Sequence, residues 1–190
     1  MAKLDPNQLL GILHGKLGGL VFVRNADGTV HVRHSPVREA GFTEGELSNQ
    51  ARFKQAVTYV GKVRQQPDVY TAYQAAARAK GKRACDLANA DCRHPPIIQD
   101  VDLSSYKGEV GEPIRVQAID DFAVTAVTLT LTEINGLLLE QGSAVLLTRT
   151  STWLYLTETA IPAGQTVVVV HVSVCDRAGN VVTKTFDHRC

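Results

Sequence analysis

Four cysteines and six histidines are the side chains of widest chemical range in this chain. The cysteines are Cys85, Cys92, Cys175 and Cys190, and no two stand as Cys-x-x-Cys. Cys92-Arg93-His94 and His188-Arg189-Cys190 form a mirrored pair that holds the donors of a Cys2His2 zinc set, but the spacing is that of no zinc finger. His34 stands next to Ser35, and adjacency along the chain says nothing of a Ser-His-acid triad. Gly15-Lys16-Leu17-Gly18-Gly19 lacks the spacing of a phosphate-binding loop. The basic run Arg78, Lys80, Lys82, Arg83 has the charge to meet phosphates, but no aromatic residues interleave it. No nucleophile stands with a base. The expectation is a non-enzymatic protein with no catalytic residues, no cofactor and no small-molecule substrate.

The 190 residues are 44% hydrophobic, 21% charged and 6% aromatic, an ordinary globular composition that excludes wholesale disorder and a collagen-like chain. The longest apolar candidate, Leu9 to Val23, is broken by His14, Lys16 and glycines, so no membrane span is expected. The opening MAKLDPNQ makes a poor secretory signal, which points to cytoplasmic synthesis and leaves later virion or extracellular assembly open. Charge is uneven. Residues 1–93 carry 14 Lys/Arg against 8 Asp/Glu, a net of +6, whereas residues 94–190 carry 6 against 11, a net of −5. A basic part joined to an acidic part suggests two domains. It also suggests an anionic partner, either nucleic acid or the acidic part of another copy. His94-Pro95-Pro96 marks the boundary, because a Pro-Pro pair is extended and cannot continue a helix.

In the first domain, Asp5-Pro6 signals a helix start, with Leu9, Leu10 and Leu13 on one face. A hairpin follows: Leu20–Arg24, a turn over Asn25-Ala26-Asp27-Gly28, and Thr29–Arg33. With Arg24 opposite Thr29, Val23 meets Val30 and Val21 meets Val32, which places four valines on one face. A two-stranded hairpin is marginal alone and needs further packing. Val21, Val23, Val30, Val32 and Arg33 are therefore the candidate assembly residues. Thr43 and Glu46 read as a capping box before a helix with Leu47, Phe53, Ala56, Val57, Val60 and Val63 at helical spacing. Asp68 reads as the cap of a second helix rich in alanine (Ala72, Ala75, Ala76, Ala79) and ended by Gly81. Large apolar side chains are few here, and a thin core argues for a homo-oligomer. Gly15-Lys16-Leu17-Gly18 with Val21, Gly28, Arg33, Pro36, Thr43, Gln50 and Phe53 resembles the opening of a family of uncharacterised bacterial proteins common in Bacteroidetes; the resemblance implies no activity.

From Ile97 onward, short apolar runs alternate with turn signals, the pattern of a β-sandwich. Strands are expected near 97–103, 113–119, 124–134, 137–140, 143–149, 152–158, 166–175 and 181–188. Pro96-Ile97-Ile98, the run from Ile114 to Asp121, Val124–Leu129, Trp153, Ala163-Gly164 and above all the run from Val172 to Asn180, with its Asp-Arg-Ala-Gly-Asn turn, resemble bacterial immunoglobulin-like domains of the fibronectin III/cadherin type. That resemblance implies spacers, adhesins or decorations on surfaces and virions. It also implies that Asp100, Asp102, Asp120, Asp121 and Asp176 gather at the linker pole, where cadherin-like repeats hold Ca²⁺; oxygen ligands suit a hard cation. The fold class expected is thus an α+β N-terminal domain, a hairpin with two or three helices over 1–93, followed by an all-β immunoglobulin-like sandwich over 94–190.

Alternation points Val168, Val170, Val172 and Val174 inward and His171, Ser173 and Cys175 outward. Thr128, Thr130 and Thr132 likewise face out, opposite Val127, Leu129 and Leu131. In that topology Cys190 lies about 30 Å from Cys175, at ~3.3 Å per residue, which excludes a bond between them and parts the two Cys/His pairs. Cys85 and Cys92 sit about 10 Å apart if both are helical, and bond only if Asn89-Ala90-Asp91 breaks the helix. Cys175 is placed to reach Cys85 or Cys92, leaving Cys190 exposed. Either all four thiols are reduced, or Cys190 links head to tail with a neighbour. The function expected is a structural subunit that self-assembles through its first domain, as a filament, virion or surface-appendage component. The alternative is a binding module whose basic domain holds nucleic acid or another anion.

Overall fold

The computed structural model describes residues 15–24, 30–37, 41–147, 150–162 and 167–190. Two compact units divide the chain, residues 1–44 and 45–190. The expected helix from Asp5 to Leu13 lies outside the described residues.

In the first unit, β1 (Gly15–Leu17), β2 (Leu20–Arg24) and β3 (Val30–His34) form an antiparallel sheet in the order β1-β2-β3, one strand more than the expected hairpin. Gly18 takes φ +57° in the tight β1–β2 turn. The hairpin register differs from expectation by one residue: Val21 pairs Arg33, Val23 pairs His31, Phe22 pairs Val32 and Arg24 pairs Val30. Because side chains alternate with a period of two, that one residue splits the four valines between the two faces. None of residues 15–17, 20–23 and 30–34 of this sheet is buried.

The second unit opens with three helices, α1 (Glu44–Arg64), α2 (Pro67–Ala79) and α3 (Ala84–Arg93). Expectation and structure differ at the start of α2. Pro67 takes the first helical position and Gln66 precedes it, so Asp68 lies inside the first turn, where its charge favours the helix dipole, and is not the cap. Gly81 closes α2 as expected. Its φ of +63° lets the Gly81 amide donate to the Arg78 carbonyl and the Lys82 amide to the Ala77 carbonyl. Helix α3 runs unbroken through Asn89-Ala90-Asp91, so Cys85 and Cys92 share one helix and cannot bridge. On α1, Ala56 and Val63 are buried, while Leu47, Phe53 and Val57 are each about half exposed (51%, 52% and 51%). Among the described residues, no helix is long and apolar enough to cross a membrane.

The chain then forms a β-sandwich of two four-stranded antiparallel sheets. One has the order β11-β10-β6-β7, built from β6 (Val124–Thr132), β7 (Leu138–Ser143), β10 (Val167–Asp176) and β11 (Val181–Arg189). The other has the order β4-β5-β9-β8, built from β4 (Ile97–Asp102), β5 (Pro113–Ile119), β8 (Val145–Leu146) and β9 (Thr152–Leu156). The strand expected over 143–149 shrinks to two residues, because Ala144, buried between β7 and β8, is where the chain crosses from one sheet to the other. Val168, Val170, Val172 and Val174 meet Val127, Leu129, Leu131, Ile114 and Val116 in the sandwich core. Thr128, Thr130, His171, Ser173, Thr183 and Thr185 line the opposite face of their sheet in cross-strand register.

Glu140 is 92% buried between the sheets, and its carboxylate is fully used. The Tyr155 hydroxyl donates to Oε1, the Glu158 amide to Oε1 at 2.8 Å and the Thr159 amide to Oε2 at 2.9 Å. Gly142 gives Tyr155 its room, since a Cβ there would lie 2.5 Å from the ring. Gly142→Ala is expected to lower stability by about 1–3 kcal/mol through overpacking. Gly61→Ala, in α1 with open space at its Cβ, is expected to raise stability by about 0.5–1 kcal/mol. Thermal melts of the two variants check both signs.

Candidate functional site

The helices are fastened to the sandwich where the Pro95-Pro96 link lies. The expected boundary at residue 94 therefore falls inside the second unit. The helical core of Val63, Tyr73, Ala77, Leu87 and Ala88 is small, and it takes in Phe122 from the sandwich. Tyr73 stacks on Phe122 with ring centroids 3.9 Å apart and planes inclined by 24°.

Three carboxylates converge beside that stack. Ala84, Leu87, Ala88 and Asp91 follow one another at helical spacing along one stripe of α3, so Asp91 points inward with Leu87 and Ala88 and is fully buried. Asp120 follows β5, and its Oδ2 accepts the amides of Phe122 at 2.9 Å and Ala123 at 3.2 Å. Asp176 ends β10 at a bulge and starts the Asp-Arg-Ala-Gly-Asn turn. The Asn180 amide donates to Asp176 Oδ1 at 2.7 Å and the Asn180 side chain to Asp176 Oδ2 at 2.6 Å. The same Asn180 side chain reaches back to the Asp91 carbonyl at 3.1 Å. One oxygen from each of Asp91, Asp120 and Asp176 lies within 4.8 Å of the others. Asp91 Oδ2 accepts the Tyr73 hydroxyl at 2.5 Å, and the Tyr73 hydroxyl oxygen lies 2.8 Å from the Tyr59 hydroxyl oxygen.

Burial pushes the Asp91 carboxyl up to about 7, and hydrogen bonding and charge from Asp120 add to this against the pull of the Tyr73 hydroxyl. Burial and the bond to Asp91 also raise Tyr73 far above the ordinary phenol range. Burial, together with the charges of Asp91 and Asp176, raises the nearby Cys92 thiol.

Of the five acids expected at this pole, Asp120 and Asp176 enter the cluster. Asp121 turns aside to His94, 2.6 Å from Nδ1. Asp100 and Asp102 are carried away along β4, where Asp102 faces Arg115 across the sheet at 3.5 Å. Asp91 was not among the expected acids, because it lies on a stripe of α3 with Ala84, Leu87 and Ala88 that reads as core. All four cysteines are free thiols, and Cys190 is exposed. His188 bonds the Tyr106 carbonyl at 2.7 Å. It is separated from Cys92 and His94 by the length of β11, about 30 Å for nine residues.

No known family's sequence model matches this chain, and no curated protein does. Among solved structures, the crystal structure of CopC from Methylosinus trichosporium OB3b is 12% identical, with 48% of this chain and 89% of that chain covered and a TM-score of 0.35. The solution structure of a lipoprotein from Bacteroides thetaiotaomicron is 21% identical, with 50% of this chain and 78% of that chain covered and a TM-score of 0.27. At these values neither likeness bears on this chain's chemistry.

A second chemical feature lies at the start of α3. The Arg64 guanidinium donates to Cys85 Sγ at 2.8 Å, and the Tyr70 hydroxyl lies 3.8 Å away. Burial raises this thiol, but the bonds from Arg64 and Tyr70 and the guanidinium charge outweigh it and hold Cys85 below the usual thiol range. Iodoacetamide is therefore expected to alkylate Cys85 before Cys92 at neutral pH, with a rate profile displaced to lower pH. Arg64→Ala is expected to slow that reaction and move the profile back up, as read by peptide mass spectrometry.

Proposed function

We propose that this protein is a non-enzymatic structural subunit that self-assembles through its first 44 residues and presents an immunoglobulin-like sandwich. The observation that carries this reading is the sheet β1-β2-β3, in which Leu17 is 67%, Val23 38% and Val32 48% accessible. A three-stranded sheet needs a covered hydrophobic face or a packed helix to be stable, and none of its residues whose burial is described is buried. The exposed Leu47, Phe53 and Val57 of α1 add apolar surface of the same kind. The uneven charge supports a head-to-tail arrangement in which the basic part of one copy meets the acidic part of the next. Contacts of that heterologous type build rings or filaments. The exposure of the free thiol Cys190 supports a covalent link at such a contact.

A second reading rests on the open groove of about 570 Å³ along α2, where Arg78 and Lys82 stand with Tyr70 and Gln74. It makes this face a binding site for a polyanion such as nucleic acid, with affinity falling steeply as salt rises.

Light scattering on a sizing column, with negative-stain images, tests the first reading at low and high salt and with and without reductant. Ordered assemblies are expected that weaken in salt and are lost in the double variant Val23→Lys, Val32→Lys, while the sandwich keeps its melting transition. A 20.6 kDa monomer under all four conditions sinks self-assembly and turns the search to the basic groove.

A further inference from the structure

Three carboxylates share one small volume, and two of their oxygens have nothing to accept from. Asp91 Oδ1 and Asp120 Oδ1 are buried without a hydrogen-bond donor. The remaining oxygens are used: Asp91 Oδ2 by Tyr73, Asp120 Oδ2 by two backbone amides, and both Asp176 oxygens by Asn180. Among the described residues, the ion pairs lie elsewhere and none involves these three acids. Buried carboxylates without a counter-charge are costly, and the cost grows when like charges face one another. One proton between Asp91 and Asp120 satisfies the two bare oxygens but leaves two negative charges in place. A divalent cation meets all three groups and leaves one.

We propose that Asp91, Asp120 and Asp176 bind a hard divalent cation, Ca²⁺ in particular, which ties α3 to the sandwich. The converging donors are all oxygen, which favours Ca²⁺ over zinc or copper. Calcium takes six to eight oxygen ligands and tolerates irregular geometry, so three carboxylates leave room for water. An open groove of about 460 Å³, lined by Asp176 with Tyr59, Lys62, Gln66, Thr125 and Arg177, brings solvent to the edge of the site. The ligands come from the last turn of α3, the loop after β5 and the turn after β10, so the ion bridges three segments that also meet through Tyr73 on Phe122, His94 on Asp121 and Asn180 on the Asp91 carbonyl. This inference concerns the second unit only and is independent of whether copies assemble.

The test uses the full chain. Melting curves in EDTA are compared with those in CaCl2 up to ~10 mM, a range that covers weak extracellular-type sites, at matched ionic strength. Tb³⁺ emission excited through tyrosine is measured in parallel, since Tyr73 donates directly to Asp91. Saturating Ca²⁺ is expected to raise the melting temperature by about 5 °C, and Tb³⁺ is expected to emit and to be displaced by Ca²⁺. Asp91→Asn and, at a less buried position, Asp120→Asn are expected to abolish both responses. Asp100→Asn, outside the cluster, is expected to keep them. Identical melts in EDTA and CaCl2 with no Tb³⁺ emission would overturn the proposal and assign the cluster to a shared proton, and so would a Ca²⁺ response that survives in both Asp91→Asn and Asp120→Asn.

Discussion

Tyr73 lays its ring on Phe122 and turns its hydroxyl to Asp91, so one side chain joins the apolar and the polar parts of the contact between helices and sandwich. The helical layer depends on that contact. Its own buried side chains are Ala56, Val63, Tyr73, Ala77, Leu87 and Ala88, of which three are alanine. Alanine lets helices approach closely but removes little apolar surface from water. The missing surface comes from Phe122, which leaves the sandwich at the end of β5. The core of the helical layer is thin, and part of its remedy lies within the same chain.

Two buried acidic sites show how differently one fold can treat a carboxylate. Glu140 receives a tyrosine hydroxyl and two backbone amides and pins β7 to the segment after β9. It is fully satisfied and needs nothing further. Asp91 is more deeply buried, faces two more carboxylates and keeps an oxygen without a donor. A polar network left partly unsatisfied in a low-dielectric setting weakens the joint it occupies unless positive charge enters it. The helix–sandwich joint is thus the place where the surroundings have most leverage over the structure.

The two ends of the chain contrast in how they use β-structure. In the sandwich each strand has an inner face, and the period-two alternation of Val168 to Val174 fits that face without a break. The strands of β1-β2-β3 have no such inner face among the described residues. Their alternation places polar and apolar groups on both sides, which leaves register to the connections rather than to a core.

Most strand positions of residues 97–190, the helices over 44–64 and 67–79 and the glycine stop at Gly81 were legible in the sequence, because periodicity, proline and glycine act through neighbouring residues. The hairpin register was not, since a shift of one residue exchanges the faces of a whole strand. The acidic site was half legible. Asp120 and Asp176 stood in recognisable turns, but β4 carries Asp100 and Asp102 away from the pole, and Asp91 lay concealed on a helical stripe that reads as core. Local chemistry along the chain determined which residues turn, which alternate and which point inward. Tertiary packing alone decided which inward-pointing charges meet, because Asp91, Asp120 and Asp176 belong to three separate segments and only the docking of α3 against the two loops brings their oxygens together.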